Sequence, residues 1–242
     1  MLRFKIRLIC LVLLSVFVLD NGRGIGYFYA GYVFQMCTVV FCTSSYQLVG
    51  VSGKIIAPQQ ISDGISAYWI GLGARSERWF GTLMWVQAGI DVGSNGFPWA
   101  YAELQNSTQF ISINLGNVGY GFSYTFKILI ETSLSGSNAK VWMNDVLVHT
   151  FNSIGFKSGT GEALAEAHES TDLQFNAEFD NLQFLSSDNT IIGWQNWDFN
   201  IGIEWAGVSV INDYPYFTRI LGNNHFFALH RDNFPHNRGI PI

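Results

Sequence analysis

Leu83-Met84-Trp85-Val86-Gln87-Ala88-Gly89-Ile90-Asp91 reads as a β-strand. The run has strand length, little strict alternation and few polar positions, so it is expected to be buried on both faces. Gln87 is out of place there. A buried carboxamide costs roughly 1–3 kcal/mol unless its donors and acceptor are paired. A strand that keeps one has a use for it, which makes Gln87 the first candidate functional residue.

Similar runs recur on both sides of this strand. They include Tyr68–Leu72, Phe110–Asn114, Tyr124–Glu131, Lys140–Trp142, Val146–Phe151 and Leu182–Leu185, separated by Gly, Asn and Ser. Short strands at this spacing predict an all-β fold, a β-sandwich of two antiparallel sheets. Met143-Asn144-Asp145-Val146 predicts a hairpin turn, and Ser135-Gly136-Ser137-Asn138 a second turn. Glu162–Glu169 is rich in Ala, Leu and Glu, so propensity predicts a helical turn there. Residues 186–242 are expected to supply further strands.

The chain has 242 residues, 16% of them aromatic and 13% charged, which suits a single large sandwich rather than a disordered chain. The net charge is -5, and no basic run follows the first seven residues, which argues against a nucleic-acid partner. Arg3, Lys5 and Arg7 precede an apolar run from Leu8 to Leu19, the layout of a secretory signal. Residues 1–22 are therefore read as a signal peptide or N-terminal anchor, residues 23–234 as the domain and 235–242 as a loose tail. The protein is expected to be secreted and monomeric, and to touch a membrane only if the first segment stays uncleaved. The second apolar stretch, Gly24 to Cys42, is read as the first strands. Cys37 and Cys42 could close a small loop in an oxidising compartment or remain free thiols. No metal-ligand spacing is present, so neither metal nor other cofactor is expected.

Several segments, in order, carry a family resemblance. Ala30-Gly31-Tyr32-Val33 opens the series, and Val51-Ser52-Gly53 leads to Ala57-Pro58. Ala67-Tyr68-Trp69-Ile70-Gly71-Leu72-Gly73 and Val86-Gln87-Ala88-Gly89-Ile90 follow. Then come Tyr101-Ala102-Glu103, Ala165-Glu166 and Phe179-Asp180-Asn181-Leu182-Gln183-Phe184. Together, over residues 28–185, they resemble the glutamic peptidases of the eqolisin family.

The resemblance implies a concanavalin A-like sandwich (jelly roll) and an acid-favouring endopeptidase that acts on polypeptides without a cofactor. Gln87 and Glu166 would be the catalytic pair. A carboxylate on a water serves as general base and then as general acid, and a carboxamide N–H stabilises the oxyanion. Trp69 would wall the substrate site and Glu103 would be a nearby acid. Glu103 and Glu166 on one face should raise one another's pKa. Gly73 departs from the family, whose fungal members carry an acidic residue there, and Ala167-His168-Glu169 replaces the family's Trp-Ile-x-Glu. In a strand His168 would share a face with Glu166. Glu178 is a rival for the glutamate. A lectin-like binding module, with Trp194, Trp197 and Trp205 as a sugar platform, and a structural surface protein are the other readings. Asn106-Ser107-Thr108 fits a glycosylation acceptor in a eukaryotic secretory host.

Overall fold

The computed structural model describes residues 27–37, 45–46, 48–56, 64–75, 83–168, 176–187, 192–199 and 206–230. The expected signal segment, the tail after Phe234, Cys42 and Trp205 lie outside these residues. Two antiparallel sheets pack face to face, as the recurrent short runs predict. The front sheet runs in the spatial order β14 (Ala206–Asn212), β1 (Tyr27–Cys37), β11 (Thr160–His168), β4 (Ile65–Arg75), β5 (Leu83–Val92), β6 (Pro98–Gln105) and β7 (Phe110–Asn117), with β2 (Ser45–Tyr46) beside β1. The back sheet runs β10 (Val146–Phe151), β9 (Gly136–Met143), β8 (Ser123–Ser133), β3 (Leu48–Ile56), β12 (Asn176–Ser186), β16 (His225–His230) and β15 (Tyr216–Gly222), with β13 (Gln195–Asn196) beside β12. The chain after residue 186 thus adds strands to both sheets. No helix among the described residues is long and apolar enough to cross a membrane.

The core between the sheets follows from the two-residue period of strands. In β5, Met84, Val86, Ala88, Ile90 and Val92 are buried in it. Tyr68, Ile70 and Leu72 of β4 join them, as do Ala163, Ala165 and Ala167 of β11. The back sheet contributes Phe126, Ile128, Val141, Phe179 and Phe226. So β5 is not a strand with core on both faces. Its odd positions Trp85, Gln87 and Asp91 turn to the outer face of the front sheet and are only half-buried.

Other expectations need correction. Glu162–His168 is strand, not helix: its alternation places alanines in the core, and pairing with β1 and β4 overrides helix propensity. The second turn falls at Leu134-Ser135, and Gly136–Asn138 already belong to β9. The Met143–Val146 hairpin stands as expected, with Asn144 and Asp145 both at positive φ (50° and 62°). Trp197 is fully buried and stacks on Phe34, so it cannot serve a sugar platform. Asn106 is buried, and its Oδ1 accepts from Thr108 N, Thr108 Oγ1 and Gln109 N. It is a turn-forming residue, and its side chain is closed to glycosylation.

Two outer-face glycines mark where backbones meet most closely. A β-carbon on Gly89 would stand 2.0 Å from the Tyr68 carbonyl oxygen, and one on Gly31 would stand 2.2 Å from that of Ala163. Neither neighbour is a side chain that can swing away. Gly89→Ala is therefore expected to lower stability by about 3 kcal/mol or more, because β4 and β5 must separate to admit the methyl group. Chemical denaturation checks this, and a midpoint close to wild type would contradict it.

Candidate active site on the outer face of the front sheet

The register of the front sheet arranges the outer face in rows. Glu162 of β11 pairs with Gly71 of β4, which pairs with Gln87 of β5, which pairs with Glu103 of β6, which pairs with Ser112 of β7. The next row is Gly31, Leu164, Trp69, Gly89, Tyr101 and Asn114. The row beyond it is Tyr29, Glu166, Ala67, Asp91 and Trp99. Directly opposed residues in antiparallel strands point to the same side. Gln87, Trp69, Glu103 and Glu166 therefore all share one face, while Glu178, on β12 of the back sheet, is tied to His225 (2.8 Å). Sheet placement removes Glu178 as the partner of Gln87.

Gln87 is satisfied by its row. Its Nε2 donates to Glu103 Oε2 (2.9 Å) and to the Tyr101 hydroxyl (3.3 Å). Glu103 also takes a hydrogen bond from Ser112. Burial raises the Glu103 carboxyl above its ordinary value; the Ser112 and Gln87 hydrogen bonds oppose this, and the charge of Glu166 adds to it. Tyr101 is buried, and its hydroxyl is pushed well up, so it stays protonated.

Glu166 lies two rows from Gln87, and Trp69 occupies the row between. Trp69 Nε1 donates to Glu166 Oε2 (3.3 Å), and a β-carbon on Gly71 would meet the other edge of the ring, Cζ3, at 3.1 Å. The indole thus lies along β4, from Glu166 to the base of Gln87. His168 Nε2 sits 2.8 Å from Glu166 Oε1, and Tyr27 packs edge-on against His168. Both carboxylate oxygens of Glu166 are engaged.

The carboxyl in the row of Gln87 is that of Glu162. Between the two the row holds only Gly71, over which the edge of the Trp69 ring reaches. Glu162 makes no hydrogen bond among the described residues, and burial pushes its carboxyl up to about 7. It leans over Gly73, where a β-carbon would stand 2.9 Å from Oε1. The space of the acidic side chain missing at position 73 is thus filled by a carboxyl from the neighbouring strand. Sequence reasoning weighed only Glu166 and Glu178 as the glutamate and passed over Glu162; in a strand, Glu162 shares a face with Glu166 by simple parity.

Asp91 also stands on this face. Its Oδ1 is buried without a hydrogen-bond partner, and burial pushes its carboxyl up to about 6. The described residues contain no cluster of His, Cys, Asp and Glu able to hold a metal ion. The groups that this face presents are carboxyls, a carboxamide and phenols.

These burials carry a stability signature. Glu162 and Asp91 hold protons in the folded protein that the unfolded chain has already released between its ordinary carboxyl value and about 7. Stability is then expected to rise as pH falls from about 8 to about 5, reversing the usual carboxylate trend. Thermal melting across this range checks it. The slope should flatten in Glu162→Gln and in Asp91→Asn, and a slope unchanged in both would contradict it.

No protein-family model matches this chain, and no curated protein matches it in sequence. Solved structures do. Scytalido-glutamic peptidase bound to a peptide-based transition-state analogue aligns with a TM-score of 0.57 at 12% identity, over 86% of this chain and 100% of that one. A second structure of that peptidase, with a transition-state analogue inhibitor, aligns at 0.55 with 11% identity over the same shares. SCP-B, a member of the eqolisin family of peptidases in complex with the tripeptide Ala-Ile-His, aligns at 0.50 with 12% identity, again over 86% and 100%. At these identities the likeness is one of fold: the chain is built on the sandwich that the eqolisin peptidases also use.

Proposed function

We propose that the protein is a peptidase in which Gln87 and Glu162 work together on an attacking water. The observation that carries this is the row itself. A carboxamide and a desolvated carboxyl, the latter without a hydrogen bond among the described residues, stand in one row on the two strands that flank Gly71. The shared fold supports the reading, as do the peptide-derived ligands of the similar structures. Ionised Glu162 takes a proton from the water as its oxygen attacks the carbonyl carbon of the scissile peptide. The Gln87 carboxamide stabilises the oxyanion, and Glu162 then gives the proton to the leaving amine as the C–N bond breaks. Trp69, laid flat beside the pair, offers an apolar wall. Glu166, expected to be the base, instead holds that wall through the indole N–H. The Arg3-to-Leu19 signal pattern supports secretion.

Glu162 is a base only when ionised, so its raised pKa shifts the expected working range from strong acid toward mildly acidic and neutral pH. The rate should fall steeply toward about pH 3, where Glu162 is fully protonated. An optimum at that pH would contradict this assignment.

The deciding experiment is cleavage of a denatured protein by wild type, Gln87→Ala, Glu162→Gln and Glu166→Gln, read by mass spectrometry. Gln87→Ala and Glu162→Gln should each lower kcat by about 10²–10³. Glu166→Gln should lower it less than about tenfold, through a looser Trp69. Equal activity in all four proteins would sink the proposal. A large loss in Glu166→Gln with little in Glu162→Gln would return the base role to Glu166.

A further inference from the structure

The orientation of the Gln87 carboxamide has a consequence for the proposed chemistry. Both N–H bonds of its Nε2 are used on the β6 side, by Glu103 Oε2 at 2.9 Å and by the Tyr101 hydroxyl at 3.3 Å. No donor then remains for an oxyanion on the Glu162 side. An ionised carboxylate can only accept, so an ionised Glu103 holds the NH₂ end toward itself. A protonated Glu103 carries an O–H, whose natural acceptor is the Gln87 Oε1. The last torsion of a glutamine side chain is broad and soft. Rotation about it exchanges the two ends and turns the N–H bonds toward Gly71 and Glu162.

We infer that Glu103 is a positioning residue that decides, by gaining or losing a proton, which end of the Gln87 carboxamide faces Glu162. The inference deepens the proposed peptidase reading and rests on it for its rate consequence, though not for the orientation itself. The groups around Glu103 are Gln87 and Asp91 from β5, Tyr101 on its own strand, Ser112 from β7, and Glu166 and His168 from β11. Gln87 and Ser112 favour the ionised form, as does the charge of His168; burial and Glu166 favour the protonated one, and the balance lies above the ordinary carboxyl value. Tyr101 can accept from the amide in one orientation and donate to it in the other.

The productive arrangement then needs Glu162 ionised and Glu103 protonated. Such a requirement gives a bell-shaped rate profile whose apparent limbs belong to the pair. Removing the Glu103 proton site removes the fall on the alkaline side. The rate then follows Glu162 alone, rising through about 7 to a plateau.

The test uses the ¹⁵N-labelled full chain. The Gln87 side-chain amide signals are identified by their loss in Gln87→Ala and followed between about pH 4 and about pH 8, the span in which these carboxyls titrate. In wild type both signals should shift with one main inflection. In Glu103→Gln and in Glu103→Leu, which keeps the side-chain size but cannot accept, that inflection should vanish, and cleavage should lose its alkaline fall. Wild-type signals that ignore pH, or the same inflection in either variant, would overturn the inference. Titrating Gln87 signals in a protein that cleaves nothing would leave Glu103 control standing and remove the peptidase reading instead.

Discussion

Position 71 has no side chain, and the chemistry of the outer face depends on that. Glu162 and Gln87 belong to strands that are not neighbours, and the strand between them would normally interpose a residue pointing the same way. With glycine there, the row has no side chain of its own at its centre. The Trp69 ring uses that space: a β-carbon on Gly71 would stand 3.1 Å from its Cζ3 and 3.3 Å from the Gln87 β-carbon. A β-carbon on Gly71 would also stand 3.1 Å from the Val86 carbonyl oxygen, so the backbone as well as the ring is set for glycine. The local arrangement thus links the proposed Gln87–Glu162 pair, the Trp69 ring and the spacing of β4 against β5.

The face is polar and poorly solvated, a combination that works against folding. Glu162 and Asp91 are both held where burial disfavours their charge, and Asp91 Oδ1 lacks even a hydrogen bond. A domain tolerates such groups when the rest of it is strongly favoured. Here the opposite face of the same strands is continuous with a large core of Tyr68, Ile70, Leu72, Val86 and Ile90 packed on Phe126, Phe179 and Phe226. Strand alternation permits this division, because each strand commits alternate residues to the core whatever the others do. Carboxyls perturbed by burial on one face of a well-packed sheet mark a candidate functional site.

Much of this was legible in the sequence, and what was not has a definite physical reason. The strand around Gln87 and its companion with Trp69 were legible as short apolar runs of strand length, and the Glu103 segment entered only through the family resemblance. The sequence also marked Gln87 as anomalous, though for the wrong reason: Gly89 and the large aromatics made a half-exposed strand look buried on both faces. The Glu162 segment stayed ambiguous because Ala, Leu and Glu are good helix formers, and nothing local says that its alanines lie under a sheet. Register is a property of pairs of strands, so the Glu162–Gly71–Gln87 row could not be read from any one segment.

Glu166 and Glu162 show how far register outweighs motif. Both lie on β11, both face outward and both are near Trp69 or Gly71, so residue type cannot separate them. Their partners do. Glu166 has each oxygen engaged, one by an indole N–H and one by an imidazole, which suits a group that fixes other groups in place. Glu162 has no hydrogen bond among the described residues and a carboxyl that burial keeps near the point of releasing its proton. A general base must be free to exchange a proton with its substrate and must have a pKa within reach of the working pH. A carboxylate already accepting on both oxygens is poorly suited to that exchange. Two glutamates four residues apart thus suit different tasks in the proposed peptidase, one holding the wall and one moving the proton.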